Sequence, residues 1–320
     1  MDLHILISNL TNPTLLFFVL GIIATKVKSD LEIPDSTSKF LSLYLLFSIG
    51  FKGGQELAHG QFTAEIVWSL LFGLVISAIV PLYLFFLLKT RFSVSDAGAT
   101  AASYGSVSAV TFVAASTFLE SQKINFGGHM VAVMALMESP AIVMGVVLVQ
   151  LYESDQQKLQ LGSVVKHSFT NGSVLMILGS LVIGLVADLK QAEGIKPFTT
   201  DIFKGFLAIF LLEMGMVTGK KLSSFATYGK FATGMALLVP LLNGCVVAWA
   251  SGLVTQEVGN RFMFAILAAS ASYIAVPAAM RIALPKANPG LYIPMALGIT
   301  FPLNITIGMP LYLTIIDATL

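Results

Sequence analysis

The sequence predicts an all-α polytopic membrane protein: ten transmembrane helices built as two inverted five-helix repeats, with helices 4 and 9 discontinuous. Three observations carry that expectation. Apolar runs recur along the whole chain, charge is scarce, and segments of the first half return in the second half in the same order.

Of the 320 residues, 56% are hydrophobic and 11% charged, and the mean hydropathy is +0.86, outside the range of a soluble globular domain. A run of about 18 or more apolar residues, wound as a helix, crosses a hydrocarbon core of about 30 Å. Polar breaks mark out ten spans, near 13–26, 37–58, 64–89, 94–120, 128–152, 169–188, 197–220, 228–253, 258–284 and 290–316. Residues 1–152 then make the first repeat and 169–320 the second. Between them, 153–168 form a polar cytoplasmic linker containing Ser154-Asp155-Gln156-Gln157-Lys158. Met1 to Asn12 lacks the basic stretch of a secretory signal, so the first span reads as retained.

Charge sets orientation and excludes some partners. A net charge of +1 gives no support to nucleic acid or other polyanions. Of the 18 Lys and Arg residues, twelve lie on the side reached after odd-numbered spans, among them Lys26, Lys89, Lys158 and Lys286. The other six, Lys52, Lys123, Lys190, Lys196, Lys204 and Arg261, lie opposite. Because cytoplasmic loops carry the excess of cations, both termini are expected outside the cytoplasm. The cell (inner) membrane is the expected location because the sequence shows no targeting segment.

The internal matches define the repeat. Gly50, Gly54 and Leu57 fall on Gly215, Gly219 and Leu222 at a spacing of 165. Ser106-Val107-Ser108 falls on Ser272-Tyr273-Ile274 at 166, and each stretch follows an Ala-Ala-Ser, at 101–103 and 268–270. Met134-Ala135-Leu136 and Pro140 match Met295-Ala296-Leu297 and Pro302, while Asn12 and Thr14 match Asn171 and Ser173. Five crossings are an odd number, so the second copy must enter the membrane upside down, a plan that in transporters locates the binding site.

Spans four and nine form an aligned pair and are the poorest continuous helices. Around Ser103, Gly105, Ser106, Val107 and Ser108 the run mixes glycine, hydroxyls and β-branched valine, all weaker helix formers than Ala or Leu. Around Ser270, Ser272, Tyr273 and Ile274 the same weakening is followed by Pro277, a residue tolerated in the first turn of a helix. A helix that unwinds and restarts presents free N–H groups and a partial positive charge. Within hydrocarbon such a break must line a polar cavity. Two inverted copies would aim two N-termini at the middle of the membrane, making these nine residues candidates for binding a small anion. The alternative is that the small residues merely let helices pack closely.

A cation site is expected beside the anion. Unwound carbonyls together with Ser103, Glu138, Ser272 and Asn304 are the candidate sodium ligands. Glu138 lies in mid-span just before Pro140, which frees the carbonyl of Leu136; Thr300 and Asn304, around Pro302, offer neutral oxygens. The alternative for Glu138 is a hydrogen-bonded side chain facing the bundle. Glu213 reads as a gate or interface residue, and Asp96 as a cap of the fourth helix. Cys245, the only cysteine, excludes an intramolecular disulfide and reads as packing. His4, His59, His129 and His167 show no metal-ligand spacing, and no phosphate-binding glycine loop occurs. Catalytic residues are therefore not expected, and the driving force must come from an ion gradient. A receptor or scaffold without flux lacks an extramembrane domain to signal with, and sodium–proton antiport lacks paired aspartates in the fifth span.

The stretch from Asp96 to Leu119, continued by Glu120-Ser121-Gln122-Lys123-Ile124 and by Met137-Glu138-Ser139-Pro140-Ala141, resembles the sodium-dependent bicarbonate transporters of the SbtA type over nearly the whole chain. The resemblance implies a homotrimer in the lipid bilayer. A core domain of helices three to five and eight to ten would move as an elevator against a gate domain of helices one, two, six and seven. Bicarbonate would sit near the two half-helix N-termini with sodium as the coupling ion, and a PII-like regulator would dock on the cytoplasmic side. Two departures stand out. The family's first break reads Val-Ser-Gly-Ser-Thr, where this chain has Val107-Ser108-Ala109-Val110-Thr111, and its Asp before Ile-Pro is here Glu138 before Ser139-Pro140. The first departure loses a hydroxyl, which leaves another small anion open as the substrate.

Overall fold

The computed structural model describes residues 11–59, 63–153, 162, 166, 170–225 and 229–320. The linker expected at 153–168 lies almost wholly outside the described residues, as do His4 and His167. Among the described residues every regular element is helical. The first half holds α1 (Pro13–Lys26), α2 (Asp35–His59), α3 (Ala64–Leu88), α4 (Val94–Gly105), α5 (Ala109–Ser121) and α6 (His129–Tyr152). The second half holds α7 (Gly172–Val186), α8 (Leu189–Lys196), α9 (Phe203–Phe225), α10 (Gly229–Ala250), α11 (Val258–Ala269), α12 (Ala275–Ala283) and a last rod, α13 (Pro289–Asp317).

Among the described residues, six stretches are long and apolar enough to cross a membrane: α3, α4 with α5, α6, Lys190–Lys220, Gly229–Leu253 and α13. Three shorter helices, α1, α7 and α11, are also apolar. The outward faces carry large exposed apolar side chains, such as Leu16, Trp68, Ile79, Leu175, Val182 and Trp249. On a soluble protein so extensive a patch would be anomalous, whereas in a bilayer it is the lipid-facing surface.

Local chemistry sets the helix ends. Asn12 caps α1 by accepting from the Thr14 N–H at 3.0 Å, and its sequence match Asn171 caps α7 by accepting from the Ser173 N–H at 2.9 Å. Ser93 caps α4; Asp96, expected as the cap, instead sits one turn inside, accepting from the Ser93 hydroxyl at 2.7 Å and the Asn288 N–H at 2.7 Å. The seventh span, expected near 197–220, also begins earlier than its apolar pattern suggests. The chain is already helical from Leu189, passes Pro197 through a π-turn over Pro197–Asp201, and resumes at Phe203. A wide turn accommodates proline because it relieves the clash with the preceding carbonyl.

Two helix pairs make the tightest contacts, α1 with α9 and α2 with α7. In each, glycine lets backbone touch backbone. A methyl group added at Gly215 would lie 2.0 Å from the Phe18 carbonyl oxygen, and one added at Gly50 would lie 2.7 Å from that of Ile177. In the other group of helices, α4 packs between α3 and α6, and α11 packs against α10. Ala97 to Gly105 of α4 and Gly259 to Ala269 of α11 are continuously buried. The C-terminal ends of these two helices therefore point into the protein's interior.

Candidate functional site at two interrupted helices

Both expected interruptions are present, and they touch. The first spans Ser106, Val107 and Ser108, between α4 and α5; the second runs from Ser270 to Ile274, between α11 and α12. The Ser272 N–H donates to the Ser103 carbonyl at 2.7 Å, and the Ser103 hydroxyl donates to the Ser272 carbonyl at 2.6 Å. The Ser108 N–H donates to the Ser270 hydroxyl oxygen at 3.0 Å, and that hydroxyl donates on to the Leu267 carbonyl at 2.8 Å. The two breaks form one crossed, hydrogen-bonded unit.

Each restart has its own cap. Ser108 adopts extended backbone, and its side chain accepts from the Thr111 N–H at 3.1 Å, capping α5. At α12 the Ser272 hydroxyl oxygen lies 3.4 Å from the Val276 N–H, and Pro277, third in that helix, has no N–H to satisfy. Gly105 is required where the first helix ends: a methyl group there would lie 2.1 Å from the Pro81 Cγ on α3.

Several donors around the crossing are unused. The N–H groups of Ala109, Val110 and Ala275 make no hydrogen bond among the described residues. The Ser106 hydroxyl, 1% exposed, also has no partner. A buried donor left unpaired costs about 1–3 kcal/mol, so the grouping favours any ligand that accepts hydrogen bonds. The two helix N-termini add positive potential. The chemistry suits a small oxyanion, held by N–H and O–H groups and without a buried arginine.

The cation candidates divide. Ser103 and Ser272 bond to each other. Asn304 lies against the second break, donating through Nδ2 to the Ala269 carbonyl at 2.7 Å while its Oδ1 accepts from the Tyr312 hydroxyl at 3.0 Å. Thr300 bridges the Tyr104 hydroxyl at 2.7 Å and the Ala236 carbonyl at 2.9 Å. Glu138 is half-buried on α6, with no hydrogen bond or ion pair to these residues. Glu213, buried on α9, keeps one carboxylate oxygen unpartnered and lies within electrostatic reach of Tyr273, whose ring packs edge-on against Phe301. Ile274 is 43% exposed, unlike the buried serines of the crossing. Cys245 is half-buried in α10, in keeping with packing.

Two contributors were missed in the sequence. Tyr104 ties α4 to Thr300 of the last rod, and Tyr312, on that rod, bonds Asn304 and the Pro240 carbonyl of α10; Tyr312 follows Asn304 by eight residues, about two helical turns on one face. That spacing was the available signal. A cavity of about 420 Å³ lies apart from the breaks, lined by residues that include Ser48, Lys52, Glu56, Glu120, Thr199 and Lys204.

A sequence profile of the Na+-dependent bicarbonate transporter superfamily matches residues 13–317. The chain belongs to that superfamily. No curated protein matches it significantly. The superfamily match takes in both breaks and every candidate residue named above. Membership classes the protein with sodium-dependent membrane transporters of bicarbonate rather than with enzymes, and its many apolar helices fit a multi-pass member of the superfamily.

Proposed function

We propose that the protein is a secondary active transporter that takes up bicarbonate together with sodium, holding the anion at the crossing of the two broken helices. The observation that carries this reading is the cluster of unused donors at Ser106, Ala109, Val110 and Ala275, in a chain of the bicarbonate transporter superfamily. The break residues other than Ile274, which is exposed, bind the anion. Sodium lies alongside, with Ser103, Ser272, Asn304 and Glu138 as its ligands.

The ten-helix inverted repeat belongs to the same proposal, and the reciprocal glycine contacts support it. Gly50 meets Ile177, Gly215 meets Phe18, and the partners are themselves 159 residues apart, the spacing that also relates the caps Asn12 and Asn171. Helices α1, α2, α7 and α9 then form the gate, and the unit carrying the breaks slides against it as an elevator. A homotrimer, extracytoplasmic termini and a PII-like cytoplasmic regulator complete the reading drawn from the resemblance.

One observation favours a second reading. Ala109 and Val110 stand where the family's first break has glycine and serine, and Val110 is buried, so the same machinery would serve an anion that needs one hydroxyl fewer. Uptake of radiolabelled bicarbonate into proteoliposomes, with and without an inward sodium gradient, decides between them. Sodium-dependent accumulation is expected; its absence, with sodium-dependent uptake of another monoanion, transfers the proposal to that anion.

A further inference from the structure

The spacings that align the breaks also align two charged positions, and there the halves differ in sign. Glu120 ends α5 and Lys204 opens α9; their charged groups are 3.3 Å apart, and both line the 420 Å³ cavity. This ion pair joins the unit that carries the breaks to the gate. Adding 166 to 120 gives Lys286, and subtracting 165 from 204 gives Lys39. The counterpart of an attractive pair is thus a pair of cations. Lys286 Nζ bonds Glu153 Oε1 at 3.1 Å, and Lys39, on an exposed part of α2, has no ion pair among the described residues.

In an inverted-repeat carrier, the state facing the opposite side arises when each repeat takes up the arrangement its partner now holds. That exchange would bring Lys286 to Lys39 as it separates Glu120 from Lys204. We propose that the Glu120–Lys204 pair is a state-specific latch whose counterpart on the far side is repulsive, so that the charges at 39, 120, 204 and 286 favour the conformation seen here. The inference rests on the inverted-repeat reading above. Both partners of the latch are more than half exposed, so its weight is that of a surface pair, a factor of up to about five in population. High salt screens it.

A cysteine reporter tests the latch without relying on flux. Thr117 lines the present cavity, and its counterpart at a spacing of 166 is Ala283, fully buried here. With Cys245→Ser as background, Ala283→Cys in nanodiscs should react slowly with a maleimide. Adding Lys39→Glu, or independently Glu120→Gln, should raise that rate up to about five-fold at low salt, and Lys39→Arg should not. A rate unchanged in both variants, each eluting as a monodisperse protein, overturns the proposal. In a second arm, Glu120→Cys and Lys204→Cys are joined by a reducible bis-methanethiosulfonate. Cross-linking should stop uptake and reduction restore it; full uptake by the cross-linked protein also overturns the latch. If the uncross-linked parent moves no anion, the transport reading fails while the labelling arm still decides the latch.

Discussion

Ser103 and Ser272 hold each other through two opposed hydrogen bonds, hydroxyl to carbonyl at 2.6 Å and N–H to carbonyl at 2.7 Å. Ser103 lies in the last turn of α4, and Ser272 lies three residues past the end of α11. The pair fixes the angle at which the breaks cross. Ser103→Ala removes one of the two bonds and strands a buried carbonyl, at a cost of about 1–3 kcal/mol. A drop of a few degrees in the detergent unfolding midpoint is expected, with at least a ten-fold loss of uptake; an unchanged midpoint would mean that the crossing is held elsewhere.

Ser106 should behave in the opposite way. Its hydroxyl is buried without a partner, so Ser106→Ala removes nothing that stabilises the unliganded protein. The unfolding midpoint should stay within about a degree, whereas KM for the anion should rise about ten-fold, the scale of one hydrogen bond to a charged group. The Ser106→Ala, Ser272→Ala double variant should lose flux altogether. Uptake kinetics set beside thermal unfolding separate the two effects, and normal uptake by the double variant would move the anion site elsewhere.

Glycines offer a matched pair of stability measurements. A methyl group at Gly215 would sit 2.0 Å from the Phe18 carbonyl oxygen, on backbone that cannot swing aside; at Gly179 it would meet nothing within 4 Å. Gly215→Ala should cost about 3 kcal/mol, the upper end for overpacking. Gly179→Ala, in mid-helix, should gain up to about 1 kcal/mol. Unfolding in detergent reads both, and equal midpoints would refute the close packing of α1 on α9.

Glu138 is the test of the cation. Half-buried, with no hydrogen bond or ion pair among the described residues, it holds no other element in place. Glu138→Gln should therefore preserve the fold and raise the sodium concentration for half-maximal uptake at least ten-fold, about 1.4 kcal/mol of binding. A sodium titration that superimposes on the parent's would remove Glu138 from the ligand set.

Much of this site was legible in the sequence because breaking a helix leaves a local signature. Glycine and the serines weaken a helix interior, and both interruptions fall at such residues, while Pro277 stands in the first turn of the restarted helix, where proline is tolerated. The Gly50 and Gly215 match was equally readable, since only glycine tolerates backbone contact. Long-range closure was not. Arg261 appeared as one of six cations on its side of the membrane, yet its guanidinium is 1% exposed and donates to the Ala248 carbonyl and to Thr319, closing two helix ends from distant segments. The π-turns at Ala296–Thr300 and Asn304–Gly308 stand just before Pro302 and Pro310, as the turn at Pro197–Asp201 goes with Pro197, so the prolines were their available signal.

Asn304 has a consequence for how the cargo is handled. Its side-chain amide occupies the Ala269 carbonyl, the acceptor that an unbroken helix would fill with a main-chain N–H four residues on. The gap between α11 and α12 is thereby kept from annealing. A cradle that cannot heal does not need to be rebuilt at each end of a journey across the membrane. Under the transport reading proposed above, discrimination between anions would be exercised by a single fixed geometry, whichever compartment the solute comes from.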